Sequence, residues 1–342
     1  MKSYGSLSSS SEPRNRPTQM FSRTLQVAAF GICTAVCTPL LSGFISDQKD
    51  TRNQKNNQKQ SASDQAIRLH SDLVVLNVTV TGANGQYVSG LAPKDFFVFE
   101  DGQPQTLDSL SSDEAPFAAA ILIDMSGSME YKFGMVRGAA ASFLEHIGGD
   151  DQVAVYGFNS KIRQFQDFSN ARDISDYIWD ARAERETRLY DCMQEAVEAL
   201  AKRPEKRRAE VIISDGWDTF SKATRDSVVK HAVDEAVTMY TVDITDDELL
   251  NGGGEAANGL RRGRSELQEI ARQTGGRYVH SPKGDQIEDA FTGLVEELRK
   301  QYTLTYYSTN AKRDGRWRKL EVRLLQPGTS PRTKAGYYAP KE

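Results

Sequence analysis

Apolar runs and helical patterns alternate through the centre of the chain. The run from Phe117 to Ile123 has the continuous hydrophobicity typical of a strand buried on both faces of a parallel sheet. Further strand patterns lie at 153–158, 161–168, 211–214, 239–244 and 277–280, and helical patterns lie at 133–147, 171–182, 189–202, 223–236, 264–274 and 287–298. This alternation predicts a doubly wound α/β domain with a mostly parallel sheet.

Strand patterns of period two stand on either side of this centre. Apolar residues occupy alternate positions from Val74 to Val80 and from Leu320 to Leu324, and shorter β patterns lie at 96–100, 105–110, 302–308 and 336–338. About 45 residues make too small a core to fold alone. We therefore expect the two terminal groups of strands to meet in a small antiparallel β-sandwich, with the α/β domain inserted between them.

These patterns divide the chain into six segments. They are a polar N-terminal tail (1–24), an apolar signal or anchor segment (25–45), a flexible linker (46–65), the N-terminal part of the sandwich (66–114), the α/β domain (115–300) and the C-terminal part of the sandwich (301–342). About twenty apolar residues suffice to cross a bilayer. The length of the second segment favours an uncleaved membrane anchor over a cleaved signal peptide.

Composition excludes several classes of function. The formal net charge of −4 provides no basic surface for nucleic acid. Cys33 and Cys37 lie in the apolar N-terminal segment, so Cys192 is the single cysteine of the remaining chain. Neither a disulfide framework nor a cysteine-based zinc site is predicted for the folded part.

Polar residues follow the central apolar run directly. Asp124, Ser126 and Ser128 alternate along the chain, with Gly127 between the two serines. Asp215 ends a second apolar run, and ligands of open α/β sheets bind at the carboxyl ends of the strands. Oxygen ligands suit a hard divalent cation such as Mg²⁺. The alternative is that the two serines only cap the following helix.

Three segments of this sequence resemble the metal-ion-dependent adhesion site of von Willebrand factor type A domains. Asp124-x-Ser126-x-Ser128 resembles the first segment, Thr187 the second and Asp215 the third. Arg185 and Glu186 stand where many relatives have glycines. Asp95 to Gly102 and Leu298 to Tyr302 extend the resemblance to a bacterial von Willebrand A-related family, over residues 70–340.

The resemblance implies a Rossmann-like α/β domain that holds Mg²⁺ or Mn²⁺. Ser126, Ser128 and Thr187 would bind the ion directly, while Asp124 and Asp215 would act directly or through water. A protein partner would complete the coordination shell with an Asp or Glu carboxylate. The expected function is divalent-cation-dependent protein binding, for adhesion or assembly at the cell envelope, by a protein that is anchored through 25–45 or secreted after cleavage.

Three residues near this site are candidate partner contacts: Glu186, Tyr190 and Trp217. For Tyr190 and Trp217, a role in packing is an equally good interpretation. Two other functions remain open, a structural envelope domain with a vestigial metal site and a metal-assisted hydrolase. The sequence has no Gly-x-Ser-x-Gly elbow, P-loop or His-Glu-x-x-His motif, so we expect that the protein is not an enzyme.

Overall fold

The computed structural model describes residues 73–112, 115–172, 186–281 and 287–341. The predicted tail, the apolar segment 25–45 and the linker 46–65 lie outside these residues, as does most of the helix predicted at 171–182. No helix in the described ranges combines the length and the apolar character needed to span a membrane.

The described residues form fourteen strands and six α-helices. The strands are β1 (Leu73–Gly82), β2 (Phe96–Glu100), β3 (Gln103–Gln105), β4 (Leu107–Ser111), β5 (Phe117–Asp124), β6 (Gln152–Phe158), β7 (Ile162–Ser169), β8 (Arg207–Ser214), β9 (Val237–Asp243), β10 (Tyr278–His280), β11 (Tyr302–Tyr307), β12 (Trp317–Leu324), β13 (Thr329–Arg332) and β14 (Gly336–Tyr338). The helices are α1 (Phe133–His146), α2 (Leu189–Ala201), α3 (Arg225–Asp234), α4 (Asp247–Leu250), α5 (Glu255–Thr274) and α6 (Ile287–Lys300).

The central sheet confirms the predicted α/β architecture. Its strand order is β10-β9-β8-β5-β6-β7, and every neighbouring pair is parallel except β6 with β7. All eight residues of β5 are buried. Alternate residues of β5 pack against α1 and α6 on one face and against α2 on the other, because successive strand side chains point to opposite faces.

The terminal strands form the predicted antiparallel sandwich. One sheet has the order β13-β1-β11-β4 and the other β14-β12-β2-β3. Leu76 and Leu304 from the first sheet share one core with Val98 and Val322 from the second. Each sheet thus combines strands from both ends of the described chain. The predicted limits at 114/115 and 300/301 stay predictions.

Arg207 lies where the chain passes between the sandwich and the α/β domain. Its buried guanidinium donates to the carbonyl oxygen of Ala115, where the chain enters the domain, at 3.4 Å. It also donates to the carbonyl oxygens of Arg299 and Gln301, where the chain leaves, both at 2.6 Å. One side chain therefore bonds to both crossings, the two places where the chain passes between the sandwich and the α/β domain.

A buried carboxylate makes a second connection between the two parts. Glu297 in α6 accepts hydrogen bonds from Thr79 of β1 at 3.0 Å and from Tyr240 of β9 at 2.7 Å. The guanidinium of Arg332 in β13 pairs with the same oxygen. Such a charge is stable in the interior because it is paired and fully hydrogen-bonded.

Three elements differ from the sequence-based expectations. The β pattern at 105–110 is divided between β3 and β4, which belong to different sheets. Strand β13 was not predicted, because Pro331 cannot donate a hydrogen bond in the middle of a strand; here it lies at a sheet edge. Helix α5 begins at Glu255, nine residues before its predicted start at 264.

Glu210 is a carboxylic acid in the core of the central sheet. It lies in β8 between Ala120 of β5 and Met239 of β9, and it is completely buried. Neither carboxyl oxygen has a hydrogen-bond partner among the described residues. Burial therefore raises the pKa of Glu210 well above its usual value of 4.5, which favours the protonated, uncharged side chain in the folded protein.

This protonation predicts a pH-dependent stability. The unfolded chain releases the Glu210 proton above about pH 4.5, whereas the folded chain keeps it, so the free energy of unfolding falls as pH rises between the two pKa values, by up to about 1.4 kcal/mol per pH unit. Glu210→Gln removes this contribution. Urea unfolding across a pH series that starts near 4.5 should show that the stability of the variant rises relative to that of the parent until the folded-state pKa of Glu210 is passed, while the exposed control Glu248→Gln shows no such trend. Parallel pH profiles for the parent and Glu210→Gln would contradict the assignment.

Candidate functional site

The candidate site lies at the carboxyl edge of the central sheet. Asp124 is the last residue of β5, and Asp215 directly follows β8. Because β5 and β8 are adjacent and parallel, their ends bring these two acids together. The site is thus positioned by the most deeply buried strand of the protein and its neighbour.

Asp124 is held by hydrogen bonds to both carboxylate oxygens. The backbone N–H of Ser126 donates to Oδ1 at 2.9 Å, and the hydroxyl of Ser214 donates to Oδ2 at 2.6 Å. The Ser214 oxygen also accepts from the backbone N–H of Gly216 at 2.9 Å. Ser214 therefore connects the ends of β5 and β8. Ser214 was not among the predicted site residues, although a Ser-Asp pair at the end of an apolar run was a signal in the sequence.

A line of oxygen atoms joins the first and third predicted segments. The hydroxyl oxygens of Ser126 and Ser128 are 3.0 Å apart, and the Ser128 hydroxyl donates to Asp215 Oδ2 at 2.6 Å. The backbone N–H of Trp217 donates to Asp215 Oδ1 at 2.9 Å. The Ser126 side chain makes no hydrogen bond that caps the following 3₁₀ helix. For this serine, the capping interpretation is therefore wrong.

Thr187 lies on a loop that is bonded to the segment after Asp215. Its backbone N–H donates to Thr219 Oγ1 at 2.9 Å, and its carbonyl oxygen accepts from Phe220 at 2.9 Å. Within the described part of the chain its hydroxyl has no hydrogen-bond partner, although the residue is buried. The structure gives Thr187 no direct bond to the two serines, and Arg185 lies outside the described residues.

Burial raises the proton affinity of both acids. The pKa of Asp124 is raised to about 7, first by burial and then by the carboxylate of Asp215, against the hydrogen bonds from Ser214 and Ser126. Burial also raises the pKa of Asp215, while the ammonium of Lys132 acts in the opposite direction. Two carboxylates in one buried site repel each other, so a cation between them is favourable.

The donor set fits a hard cation. No three His, Cys, Asp or Glu side chains in the described ranges are grouped closely enough to hold a metal on their own. An ion at this edge would therefore depend on hydroxyl oxygens as well as on Asp124 and Asp215. Ser128 is exposed, whereas Asp124, Ser126, Thr187 and Asp215 are buried. The site is consequently open to solvent at Ser128.

A third buried acid ends the next strand of the sheet and already forms an ion pair. Asp243 ends β9 and accepts hydrogen bonds from Arg264 at 2.7 Å and Tyr278 at 2.6 Å. Its Oδ2 also lies 3.3 Å from His280 Nδ1. With these partners around it, Asp243 supports the ends of β9 and β10.

The three candidate partner contacts differ in how far they are exposed to solvent. Glu186 is exposed. Tyr190 is buried, and its hydroxyl donates to Glu266. Trp217 is half-buried and lies against Gly259, where a Cβ atom would come within 2.3 Å of the indole ring. The structure thus favours a packing role for Tyr190 and Trp217.

Three exposed apolar side chains lie on segments connected to the site, and the sequence did not reveal them. Tyr131 follows the Ser128 loop and is 97% exposed, Phe220 bonds through its backbone to Thr187 and is 51% exposed, and Leu249 in α4 is 53% exposed. Lys132 pairs with Asp246 at 3.1 Å and so connects the Ser128 loop to the segment that carries Leu249. No sequence pattern distinguishes these residues from core positions.

The loop after Asp215 requires glycine in the facing helix. A Cβ atom on Gly263 of α5 would lie 2.5 Å from the carbonyl carbon of Gly216 and 2.7 Å from the carbonyl oxygen of Asp215. Both neighbours are backbone atoms, so a rotamer change cannot relieve the contact. This close approach explains a glycine in the middle of a helix.

Gly263→Ala should therefore destabilise the protein by about 1–3 kcal/mol, the usual cost of overpacking. The matched control is Gly138→Ala in α1, where a Cβ atom meets nothing within 4 Å. Replacing glycine in an open helix position stabilises by about 0.5–1 kcal/mol. Urea unfolding measures whether Gly263→Ala lowers the free energy of unfolding and whether Gly138→Ala raises it. Equal stability of Gly263→Ala and the parent would show that the loop adjusts freely.

This chain is similar to known proteins in both sequence and fold. The model of the von Willebrand factor type A domain matches residues 120–293. The chain is similar in structure to a von Willebrand factor type A protein from Catenulispora acidiphila, with 11% identity, a TM-score of 0.44 and coverage of 79% of this chain and 74% of that one. It is also similar to BatB from Bacteroides thetaiotaomicron, with 13% identity, a TM-score of 0.42 and coverage of 54% of this chain and 100% of that one. A third similar structure is the pilus adhesin SpaC from Lactobacillus rhamnosus GG, with 12% identity, a TM-score of 0.43 and coverage of 75% of this chain and 49% of that one. A search of curated proteins gave no match.

Proposed function

The chain belongs to the von Willebrand factor type A domain family, and from that premise we propose that it binds a protein partner through a divalent cation held at the carboxyl edge of its central sheet. The observation that carries the proposal is the line of oxygen atoms from Ser126 through Ser128 to Asp215, next to the buried carboxylate of Asp124. The proposed task is adhesion or assembly.

Ser126, Ser128 and Thr187 would hold Mg²⁺ or Mn²⁺ directly, and Asp124 and Asp215 would hold it directly or through water. The bound ion would supply positive charge for an incoming carboxylate. Among the described residues, the five proposed ligands are one short of the six oxygens of an octahedral shell, and the Ser128 side is open to solvent. An Asp or Glu of the partner is the ligand that such an incomplete oxygen shell accepts.

The exposed apolar residues support a protein as the partner. Tyr131, Phe220 and Leu249 lie on three separate segments at the site edge, each with at least half of its side chain exposed. Aromatic side chains contribute strongly to the centres of protein interfaces. A partner that offers an acidic residue next to apolar side chains matches this surface.

Binding is favoured over hydrolysis by the positions of the histidines. In the described part of the chain, His146 contacts Ser142 O at 2.7 Å and His231 contacts Gln194 at 2.8 Å, while His280 pairs with Asp243 and Asp247. None of them contacts Asp124 or Asp215. We therefore propose a binding role without catalysis.

The proposed location is the cell envelope. This proposal rests on the apolar sequence 25–45, which lies outside the described residues. A stretch of this length suits an anchor that would hold the binding domain at the membrane surface.

Calorimetric titration of Mg²⁺ and Mn²⁺ tests the metal site. The parent should bind one ion, and Asp124→Asn and Thr187→Val should weaken binding at least about tenfold, as loss of a ligand or its support does. Asp108→Ala, in the sandwich strand β4, should bind like the parent. If the parent binds no ion, the proposal is replaced by the alternative of a structural envelope domain with a vestigial metal site.

The partner surface is tested separately. Tyr131→Ser combined with Phe220→Ser should retain Mg²⁺ binding within about twofold, because neither side chain is among the oxygen donors, yet should lose Mg²⁺-dependent retention of proteins from the envelope of the source cell. The control is Phe97→Ser combined with Leu325→Ser, at exposed positions of the sandwich. Loss of retention only in this control would assign binding to the sandwich instead.

A further inference from the structure

An apolar-lined recess of the described residues lies at the opposite edge of the central sheet. Its volume is about 460 Å³, and it is enclosed by the start of β1, the end of α3 and the C-terminal segment 334–341. Arg208, near the amino end of β8, contributes to its wall. Sites for small organic molecules occupy about 300–1,000 Å³. We call this recess the Lys334 cavity.

Lys334 carries a charge that the protein compensates poorly. Its ammonium donates to the carbonyl oxygen of Val233 at 3.2 Å and lies 5.9 Å from the centre of the Tyr337 ring. Among the described residues, Asp234 attracts this ammonium but is paired with Lys230 instead. An ammonium has three N–H donors, so two of them have no acceptor among the described residues. Desolvation accordingly lowers the pKa of Lys334 to about 8, against the attraction of Asp234.

Among the described residues that line the cavity, cations outnumber acids. The cations are Arg208, Lys230, Lys334 and Lys341, and the acids are Asp234 and Glu235. Asp234 is already paired with Lys230. The cavity therefore favours an anion on charge alone.

Apolar and aromatic side chains form the rest of the lining. Val233 is buried beneath the cavity, while Leu73 and Tyr338 are exposed at its mouth. Tyr338 is held against Trp317, with their ring centres 5.0 Å apart. A hydrated inorganic anion would leave these surfaces uncovered, whereas an organic body would cover them.

We propose that the Lys334 cavity binds a small organic anion, whose carboxylate or phosphate group pairs with Lys334 and whose aromatic or aliphatic body packs against Tyr337 and Val233. The site is independent of the proposed metal site, because it lies among the amino ends of β8 and β9 rather than at their carboxyl ends. The test of this cavity is therefore independent of the test of the proposed metal site.

The probes are phenyl phosphate and phenylacetate, titrated calorimetrically into the full chain after metal ions have been stripped with EDTA and the EDTA, itself an organic anion, has been dialysed away. Both probes share the aromatic body, so their ratio of affinities shows which head group the cavity prefers. We expect binding of at least one, at least tenfold weaker binding to Lys334→Met, and recovery in Lys334→Arg, which keeps the positive charge. The exposed control Lys161→Met should bind like the parent.

Three results would overturn the proposal. The first is that neither probe binds the parent, and the second is that Lys334→Met binds as well as the parent. The third is that benzyl alcohol or inorganic phosphate binds as tightly as the aromatic anions, which would show that either the charge or the organic body is unnecessary. Thermal unfolding of each variant shows whether a lost signal reflects a lost fold.

Discussion

Complete burial of strand β5 is the constraint on which the candidate site depends. The strand is paired on both sides and covered by helices on both faces, so its last side chain, Asp124, cannot reach bulk water unaided. A carboxylate in that position must find hydrogen-bond donors or a cation. Ser126 and Ser214 supply the donors, and the proximity of Asp215 makes a divalent ion a favourable addition. The chemistry at the edge is a consequence of the packing in the centre.

The sequence was most informative where burial and periodicity agree. The central strands and the alternating strands of the sandwich were predicted because period-two and continuous apolar patterns have direct structural meanings. Asp124, Ser126, Ser128 and Asp215 were predicted because polar residues directly after buried strands need a partner. The hydrogen bonds between them then follow from the adjacency of β5 and β8.

Features that depend on tertiary contacts were not predictable in the same way. Gly259 and Gly263 lower the helix propensity of the first half of α5, yet they are required there by the ring of Trp217 and the backbone of Gly216. The same helix packs against one face of the Trp217 ring and leaves this side chain half-buried. Exposure of Tyr131 and burial of Tyr190 are likewise set by the surrounding loops, and composition alone does not distinguish them.

The insertion has a mechanical consequence. Strand β5 runs from the crossing at Ala115 to the proposed partner site at Asp124, and the return crossing at Arg299 and Gln301 is bonded to the same Arg207 side chain. Consider a force applied at the partner site while residue 73 is held fixed. The force would pass along β5 in the middle of the sheet. It would then be divided between the two crossings, which Arg207 connects. From the second crossing the load passes into β11, whose hydrogen bonds to antiparallel β1 would resist it together. Tension would thus be shared across many bonds of the fold before any single connection yields.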